Sequence, residues 1–238
     1  MLHIHLQDCV STQTYLKSKL ESFLQLSSSL LVSCNQQTSG YGRDGKQWHS
    51  LENSLSFSCV VSSNEESTLT PLEIGILLSN FILARFGVRL KLKWPNDLLT
   101  TDYKKCGGII CHKGFAERVV VGIGINLGKI DKNILNLSFD TPIDSVDRES
   151  IFSSEEKKRI SQQIYKYILK NRMSSKTVRD KWIQNCIHTN QQVSLNNSGC
   201  VTRGTFVGIS DQGLAQIIVD EKLNSFASGN LRILSSID

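Results

Sequence analysis

The sequence predicts an α+β fold in two parts. Helices and a mixed or antiparallel sheet are expected over residues 1–188, and a small β-barrel over residues 189–238. Three observations carry this. Segments whose hydrophobicity repeats every second residue are interspersed with segments of helical period. Two strand-like runs, CGGIICH (106–112) and RVVVGIGI (118–125), flank Lys113 to Glu117 and read as a hairpin. From Gln191 the helical texture stops, and short β-like runs (TRGTFVGI, LAQIIV, LNSFA, LRIL) alternate with turns such as Asp211-Gln212-Gly213.

Residues 12–24 read as one short helix with Ser11 as N-cap. LLVSCN (30–35) reads as a strand leading into a glycine-rich loop, and SLSFSCVVS (54–62) sets Leu55, Phe57, Cys59 and Val61 against serines, as a half-buried strand does. Thr70-Pro71-Leu72-Glu73 has the spacing of a capping box with Pro at the first helical position, and the apolar run after it stops at Gly87. RLKLKW (89–94) alternates again before a turn at Pro95-Asn96-Asp97. Ser153 and Glu156 cap a helix to Asn171 whose face carries Ile160, Ile164, Tyr167 and Ile168; a second helix carries Val178, Trp182 and Cys186.

A chain of 238 residues buries roughly 70–75% of its unfolded surface and needs no staples. Seven scattered cysteines without a C-x-x-C read as reduced thiols, neither a disulfide frame nor a zinc site. His3 and His5 alternate as strand residues do. The start, MLHIHLQDCV, has no basic-then-apolar signal pattern, and no apolar run reaches 18 residues, so neither a leader nor a membrane span is expected. The net charge of +5 fits an anionic ligand and equally a plain solvated surface.

QTSGYGRDGKQW (37–48) spaces Gly40, Gly42 and Gly45 as G-x-G-x-x-G. That is the dinucleotide fingerprint, but it carries meaning only between a strand and a helix. Trp48, Leu51 and Leu55 keep helical spacing, and Glu65 and Glu66 stand about where a ribose-binding acid belongs. Against this, Gly45 to Asn53 is short and polar before a strand begins. The better reading is strand, flexible loop, strand, with backbone N–H groups, Arg43 and Lys46 available to an anion. A surface turn with solvated charges is the bland alternative.

Two further stretches bear on the loop. KWPNDLL (93–99) ends a strand in hydrogen-bonding groups, and VGIGINL (121–127) is a buried strand holding Gly122 and Gly124, which weaken a strand unless something approaches closely. Together with K-C-G-G-I-I (105–110), these motifs stand in the order found in biotin–protein ligases, and the chain resembles that family. The family carries a Q-x-x-G-R-G-R-x-G-[RK]-x-W loop, K-W-P-N-D, K-x-x-G-I-L and G-I-G-I-N; Val10-Ser11-Thr12-Gln13 resembles its S-T-N segment. The likeness is strong over residues 8 to 127 and weaker in the C-terminal part. There are departures: Gln13 for Asn, Tyr41 and Asp44 for arginines, Gly107 for Ala.

The resemblance implies a two-step reaction. Biotin's carboxylate attacks the α-phosphate of ATP, and a lysine of a biotin carboxyl carrier protein then takes the acyl group. It implies the ligase-type mixed sheet with an SH3-like C-terminal barrel, ATP and Mg²⁺, and cytoplasmic location without membrane contact. It also implies the short form without a DNA-binding domain, and leaves a homodimer open. Arg43 and Lys105 are implied as catalytic, with Lys104 the rival for Lys105. Ser11, Thr12, Gln13, Gln37, Gly40, Gly108, Gly122 and Gly124 are implied for biotin. Trp48, Asn96 and Asn126 join Arg43 and Lys105 for the adenylate, and Asp97 is the candidate to hold a lysine or, indirectly, the metal. The bland readings are helix capping for Ser11, core packing for Trp48 and turn capping for Asp97. The rival activities are a lipoate–protein ligase and a protein that binds biotin or its adenylate without transferring it.

Overall fold

In chain order, β1 (Leu2–Cys9) leads into two short helices, α1 (Thr12–Ser18) and α2 (Leu20–Leu26), and then β2 (Leu30–Gln37). The glycine loop is a ribbon of β3 (Gly40–Tyr41) and β4 (Gln47–Trp48). Next come β5 (Ser54–Ser62), α3 (Thr70–Phe86), β6 (Lys91–Lys93), β7 (Asp97–Leu99), β8 (Lys105–Lys113) and β9 (Arg118–Asn126). A single turn, α4 (Lys132–Leu135), precedes α5 (Ser154–Lys170) and α6 (Ser175–Asn185). The chain ends in β10 (Gln192–Asn197), β11 (Cys200–Ile209), β12 (Ala215–Val219), β13 (Lys222–Phe226) and β14 (Asn230–Ile233). This is a computed structural model, and it describes residues 1–115, 117–135 and 141–234; Ala116, inside the expected hairpin turn, lies outside them.

The main sheet runs β1-β2-β5-β9-β8-β7-β6. Its β1–β2 pair is parallel and every other pair is antiparallel. A dinucleotide fold needs a parallel sheet with a helix opening at the glycines. Here a 3₁₀ turn, Arg43–Gly45, occupies that place, so the Rossmann alternative falls. The second sheet runs β13-β12-β11-β10-β14, antiparallel throughout. Pairing of β13 with β14, which would close it into the expected barrel, is not seen among the described residues.

Several elements differ from expectation for tertiary reasons. The helix over 12–24 is broken at Lys19 (φ −114°, ψ 5°). The break lets Leu16 and Leu20 lie in one apolar cluster with Leu30, Val32, Val60 and Val120, and Phe23 and Leu24 pack against it. β5 is buried on both faces, not half-buried. Leu55, Phe57, Cys59 and Val61 enter the main core, while the Ser58 hydroxyl meets that of Thr12 at 2.9 Å. Thr70 and Glu73 form no capping box: α3 has no side-chain cap bond, and the Thr70 hydroxyl accepts from Asn64 N at 3.0 Å. Glu73 is fully buried and takes two hydrogen bonds from Arg172 at 2.8 Å, one from Asn64 at 2.9 Å and one from Met173 N at 2.7 Å. Burial pushes its pKa up, but these donors outweigh burial and hold it below the ordinary carboxylate range.

Other signals hold. Gly87 ends α3 in the left-handed region at φ 70°. Ser153 and Glu156 form the reciprocal cap of α5. His3 and His5 both meet the Ser33 hydroxyl, at 2.7 and 2.8 Å, and the seven cysteines are free thiols. The stretch Ser67–Phe86 is long and apolar enough to cross a membrane by length and composition, which the sequence reading passed over; 67% of its apolar window is buried inside the fold, as in a core helix.

His188 gives the fold a predictable acid limit. It is 1% exposed and stacks near Phe206 with centroids 5.5 Å apart, and neither ring nitrogen has a partner. Burial, then the Lys93 charge, lowers its pKa from 6.5 to about 3. The folded value lies below the unfolded one, so the unfolded chain binds more protons between these limits. The stability this group contributes is complete above pH 6.5 and is lost as pH falls toward 3. The expected slope is up to about 1.4 kcal/mol per pH unit. Urea unfolding at pH 7, 6 and 5 should show His188→Leu losing distinctly less stability than wild type; parallel curves would exclude His188 as the source.

Candidate functional site

The strand register assembles the floor of one cleft. Ser56 on β5 pairs with Gly124 on β9, Gly124 with Gly108 on β8, Gly108 with Asp97 on β7, and Asp97 with Lys93 on β6. Neighbouring strands lie about 4.8 Å apart, so Gly124 to Lys93 spans roughly 14 Å. Over this row lies a cavity of about 450 Å³. Its lining includes Ser11, Thr12, Gln13, Gln37, Arg43, Trp48, Asn96, Asp97, Lys105, Gly108, Gly122, Gly124 and Asn126. Four separate sequence motifs thus meet in one place.

One end is uncharged and hydrogen-bonding. Ser11 caps α1 by accepting from Thr14 N at 3.4 Å, so the capping role and the place in the lining belong to the same residue. Thr12 N donates to Gln37 Oε1 at 2.8 Å, and the Thr12 hydroxyl to the same atom at 3.1 Å. Gly122 is bare because Gln13 lies on it: a Cβ there would stand 2.8 Å from Gln13 Oε1. Gly124 is bare because the Trp48 indole covers it: a Cβ would stand 2.5 Å from Trp48 Cε2. The close approach that these strand glycines require is thus made by the protein's own side chains. Gly40 is the exception among the expected site residues, since it does not line the cavity. It lets the ribbon close instead, with a Cβ there only 2.8 Å from Gln37 Nε2 and 2.9 Å from the Trp48 carbonyl.

The other end is cationic. Lys105 Nζ sits 2.6 Å from Asp97 Oδ1, inside the cleft. Lys104 is exposed, does not line the cavity, and its carbonyl accepts from Thr100 N in a turn. Asn96 donates to the Ile109 carbonyl at 2.7 Å and Asn126 to the Asp144 carbonyl at 3.1 Å, so each amide braces a wall through its nitrogen. Lys93, the first residue of the K-W-P-N-D motif, also lines the cleft and is not among the residues expected there. Burial lowers its pKa, Asp97 opposes this, and the charges of Lys105, Arg232 and Lys46 lower it further. Several cations converging on one buried spot are relieved by an anion. Gly229 and Asn230, at the start of β14, and Thr141 and Ile143 also line the cleft; Ser228-Gly229 belongs to the weaker C-terminal part of the resemblance, and Asn230, Thr141 and Ile143 carry no motif that marks them.

The loop reaches over this floor. Gly42 N donates to the Lys46 carbonyl at 2.7 Å, and Lys46 N to the Arg43 carbonyl at 3.1 Å. Asp44 and Gly45 are left-handed, at φ 55° and 71°, and they reverse the chain between Arg43 and Lys46. Among the described residues, no group of three or more His, Cys, Asp and Glu stands together as a metal site. Asp97 holds a lysine, Lys105, which is one of the two roles expected for it. The donor set does not fit a protein-held Mg²⁺.

A family profile described as "Biotin/lipoate A/B protein ligase family" matches residues 6–128. The bifunctional ligase/repressor BirA of Bacillus spizizenii is 29% identical over 134 residues, which is 53% of this chain and 41% of that protein; the chain thus spans less than half of such relatives. The biotin–[acetyl-CoA-carboxylase] ligase of Paracoccus denitrificans is 23% identical over 207 residues, 79% of this chain and 83% of that protein. Among solved structures, the biotin protein ligase of Aquifex aeolicus in complex with biotin and ATP superposes with a TM-score of 0.75 at 23% identity, over 98% of this chain and 99% of that one. The profile covers more than half of the residues and takes in every motif that meets in the cleft, and on that ground the chain belongs to the biotin/lipoate A/B protein ligase family.

Proposed function

We propose that this chain is an ATP-dependent biotin–protein ligase that transfers biotin to a lysine of a biotin carboxyl carrier protein. One observation carries the reading: a single cleft, roughly 14 Å long across the strands, is uncharged and hydrogen-bonding at one end and cationic at the other. A bicyclic urea with a carboxylate tail fits that polarity. Thr12, Gln13, Gln37 and Ser58 serve the ring, and a dithiolane would leave the buried Gln13 Oε1, which has no partner in the protein, without a donor, which is costly and disfavours lipoate.

In the first step a carboxylate oxygen of biotin attacks the α-phosphorus of ATP. The α–β phosphoanhydride bond breaks and pyrophosphate leaves. Arg43, whose planar fork suits carboxylate and phosphate oxygens, and Lys105 lie against the oxygens on which charge accumulates. Asp97 holds Lys105 in place, and Lys93 adds a cation at the same end. In the second step a neutral lysine amine of the carrier attacks the acyl carbon, AMP leaves, and an amide forms. The protein supplies alignment, charge compensation and exclusion of water rather than a nucleophile. Mg²⁺ accompanies ATP, held by phosphate oxygens and water. We assign residues 1–188 to the catalytic unit and 189–238 to the C-terminal unit, and the chain to the cytoplasm.

Incubation with biotin, ATP, Mg²⁺ and a biotin-carrier domain should add the mass of one biotin to the carrier, with AMP and pyrophosphate as products. Lipoate added and biotin refused would establish the rival ligase; adenylate formed and never transferred would establish a binding protein. The loop also yields a prediction. Its two strands share no ladder with the main sheet among the described residues, and glycine loses more backbone entropy on ordering than any other residue. Limited trypsin digestion should nick the free chain after Arg43 or Lys46, and biotin with ATP should slow that nick severalfold. Equal rates in protein shown to bind both would mean that the loop is no ligand-ordered lid.

A further inference from the structure

Behind the uncharged end of the cleft, one imidazole fixes how a cleft residue presents its amide. Gln13 is 2% exposed. Its Nε2 donates to the Val120 carbonyl at 2.9 Å and lies 3.0 Å from His112 Nδ1. A carbonyl only accepts, so Val120 determines which end of the amide points inward. The second hydrogen on Nε2 then faces His112, whose Nδ1 meets it with a lone pair, and the ring is neutral with its proton on Nε2. This leaves Gln13 Oε1 over the bare Cα of Gly122, buried and without a partner, in the wall of the cleft. An unpartnered buried acceptor is costly and calls for a donor. The ring of Tyr41 stands edge-on to His112, with centroids 6.2 Å apart at 75°, so the glycine loop rests on the same imidazole.

We propose that His112 is a positioning residue: neutral, it holds the Gln13 carbonyl toward the cleft as acceptor for a ligand N–H, and protonated, it abolishes that setting. An imidazolium would set N–H against N–H. The amide relieves this by turning over, which gives Oε1 to His112, strips Val120 of its donor, and aims an NH₂ at the ligand's own N–H. Proton binding and ligand binding therefore oppose each other. The groups facing His112 are Gln13 and Lys17 from α1, the Tyr41 ring from the loop, and Val120 from β9. Burial, then the Lys17 charge, hold its pKa below the ordinary 6.5. Affinity is accordingly constant above pH 6.5 and declines on the acid side by up to tenfold per pH unit. The inference rests on the proposed reading of the cleft, since the ureido ring of biotin supplies the N–H groups.

Calorimetric titration of biotin, without ATP, into the full chain from pH 8 to pH 5 tests it. His112→Asn keeps an acceptor and cannot titrate, so it should bind near wild-type strength at pH 7.5 with a flat profile. His112→Phe keeps the ring contact and loses the acceptor, so it should bind about tenfold more weakly at every pH. In the ligand-free protein, the Gln13 side-chain ¹⁵N–¹H₂ resonances should move with the His112 titration. Parallel acid losses in wild type and His112→Asn, or Gln13 resonances that stay fixed while His112 titrates, would overturn the proposal. If wild type binds no biotin at any pH, the functional reading fails, and the ligand-free resonances still decide the positioning role.

Discussion

Lys105→Ala is expected to lower pyrophosphate release from biotin and ATP by roughly ten- to a hundredfold, and Lys104→Ala to leave it near wild type. The two lysines are adjacent in sequence, and strand geometry separates them. Lys105 lies in the cleft with its ammonium 2.6 Å from Asp97, while Lys104 is exposed in the preceding turn. A charge-assisted contact is worth about 1.5–3 kcal/mol, and more if it tightens in the transition state. Arg43→Ala should show a loss of the same order. Unchanged circular dichroism and melting temperature would place these effects in the chemistry. A crippled Lys104→Ala beside a normal Lys105→Ala would show that the register drawn for this strand is off by one.

Gly124→Ala is expected to weaken ATP and biotin binding by more than tenfold with only a moderate loss of stability. The new methyl would stand 2.5 and 2.6 Å from two carbons of the Trp48 indole, distances that non-bonded carbons do not tolerate. The indole sits on a two-residue strand, so it moves off the floor and takes the loop with it. Overpacking of this kind costs roughly 1–3 kcal/mol. Gly42→Ala is the control, because its Cβ would meet the Lys46 carbonyl at an ordinary 3.6 Å. The measurements are tryptophan fluorescence of the ligand-free protein and the dissociation constant for each ligand. Full affinity in Gly124→Ala would mean that Trp48 has no part in shaping the cleft.

These two results separate what one strand of sequence carries from what the sheet adds. The motif residues were legible because each demands local chemistry: glycines inside a strand, cations in a loop, amides at a strand end. The helix signals at Gly87 and Ser153 were equally local and held. Thr70 and Glu73 misled, because a carboxylate three residues after a threonine looks the same whether it caps a helix or receives Arg172 from ninety-nine positions away. The serines of β5 misled for a similar reason: they read as solvent-facing, but one of them meets the Thr12 hydroxyl under α1.

The family motifs, the α+β class and a set of site residues of which all but Gly40 line the cleft could be read along the chain. Those properties follow from hydrophobic period and residue chemistry, which are written in neighbours along the chain. Folding alone brings Ser56, Gly124, Gly108, Asp97 and Lys93 into one row, makes Lys93 a cleft cation, supplies Asn230 from the far sheet, and sets His112 against the Gln13 amide in α1. The physical reason is that strand register and packing join residues whose separation in sequence carries no periodic signal. Which atom meets which is set by the whole sheet rather than by any segment of it.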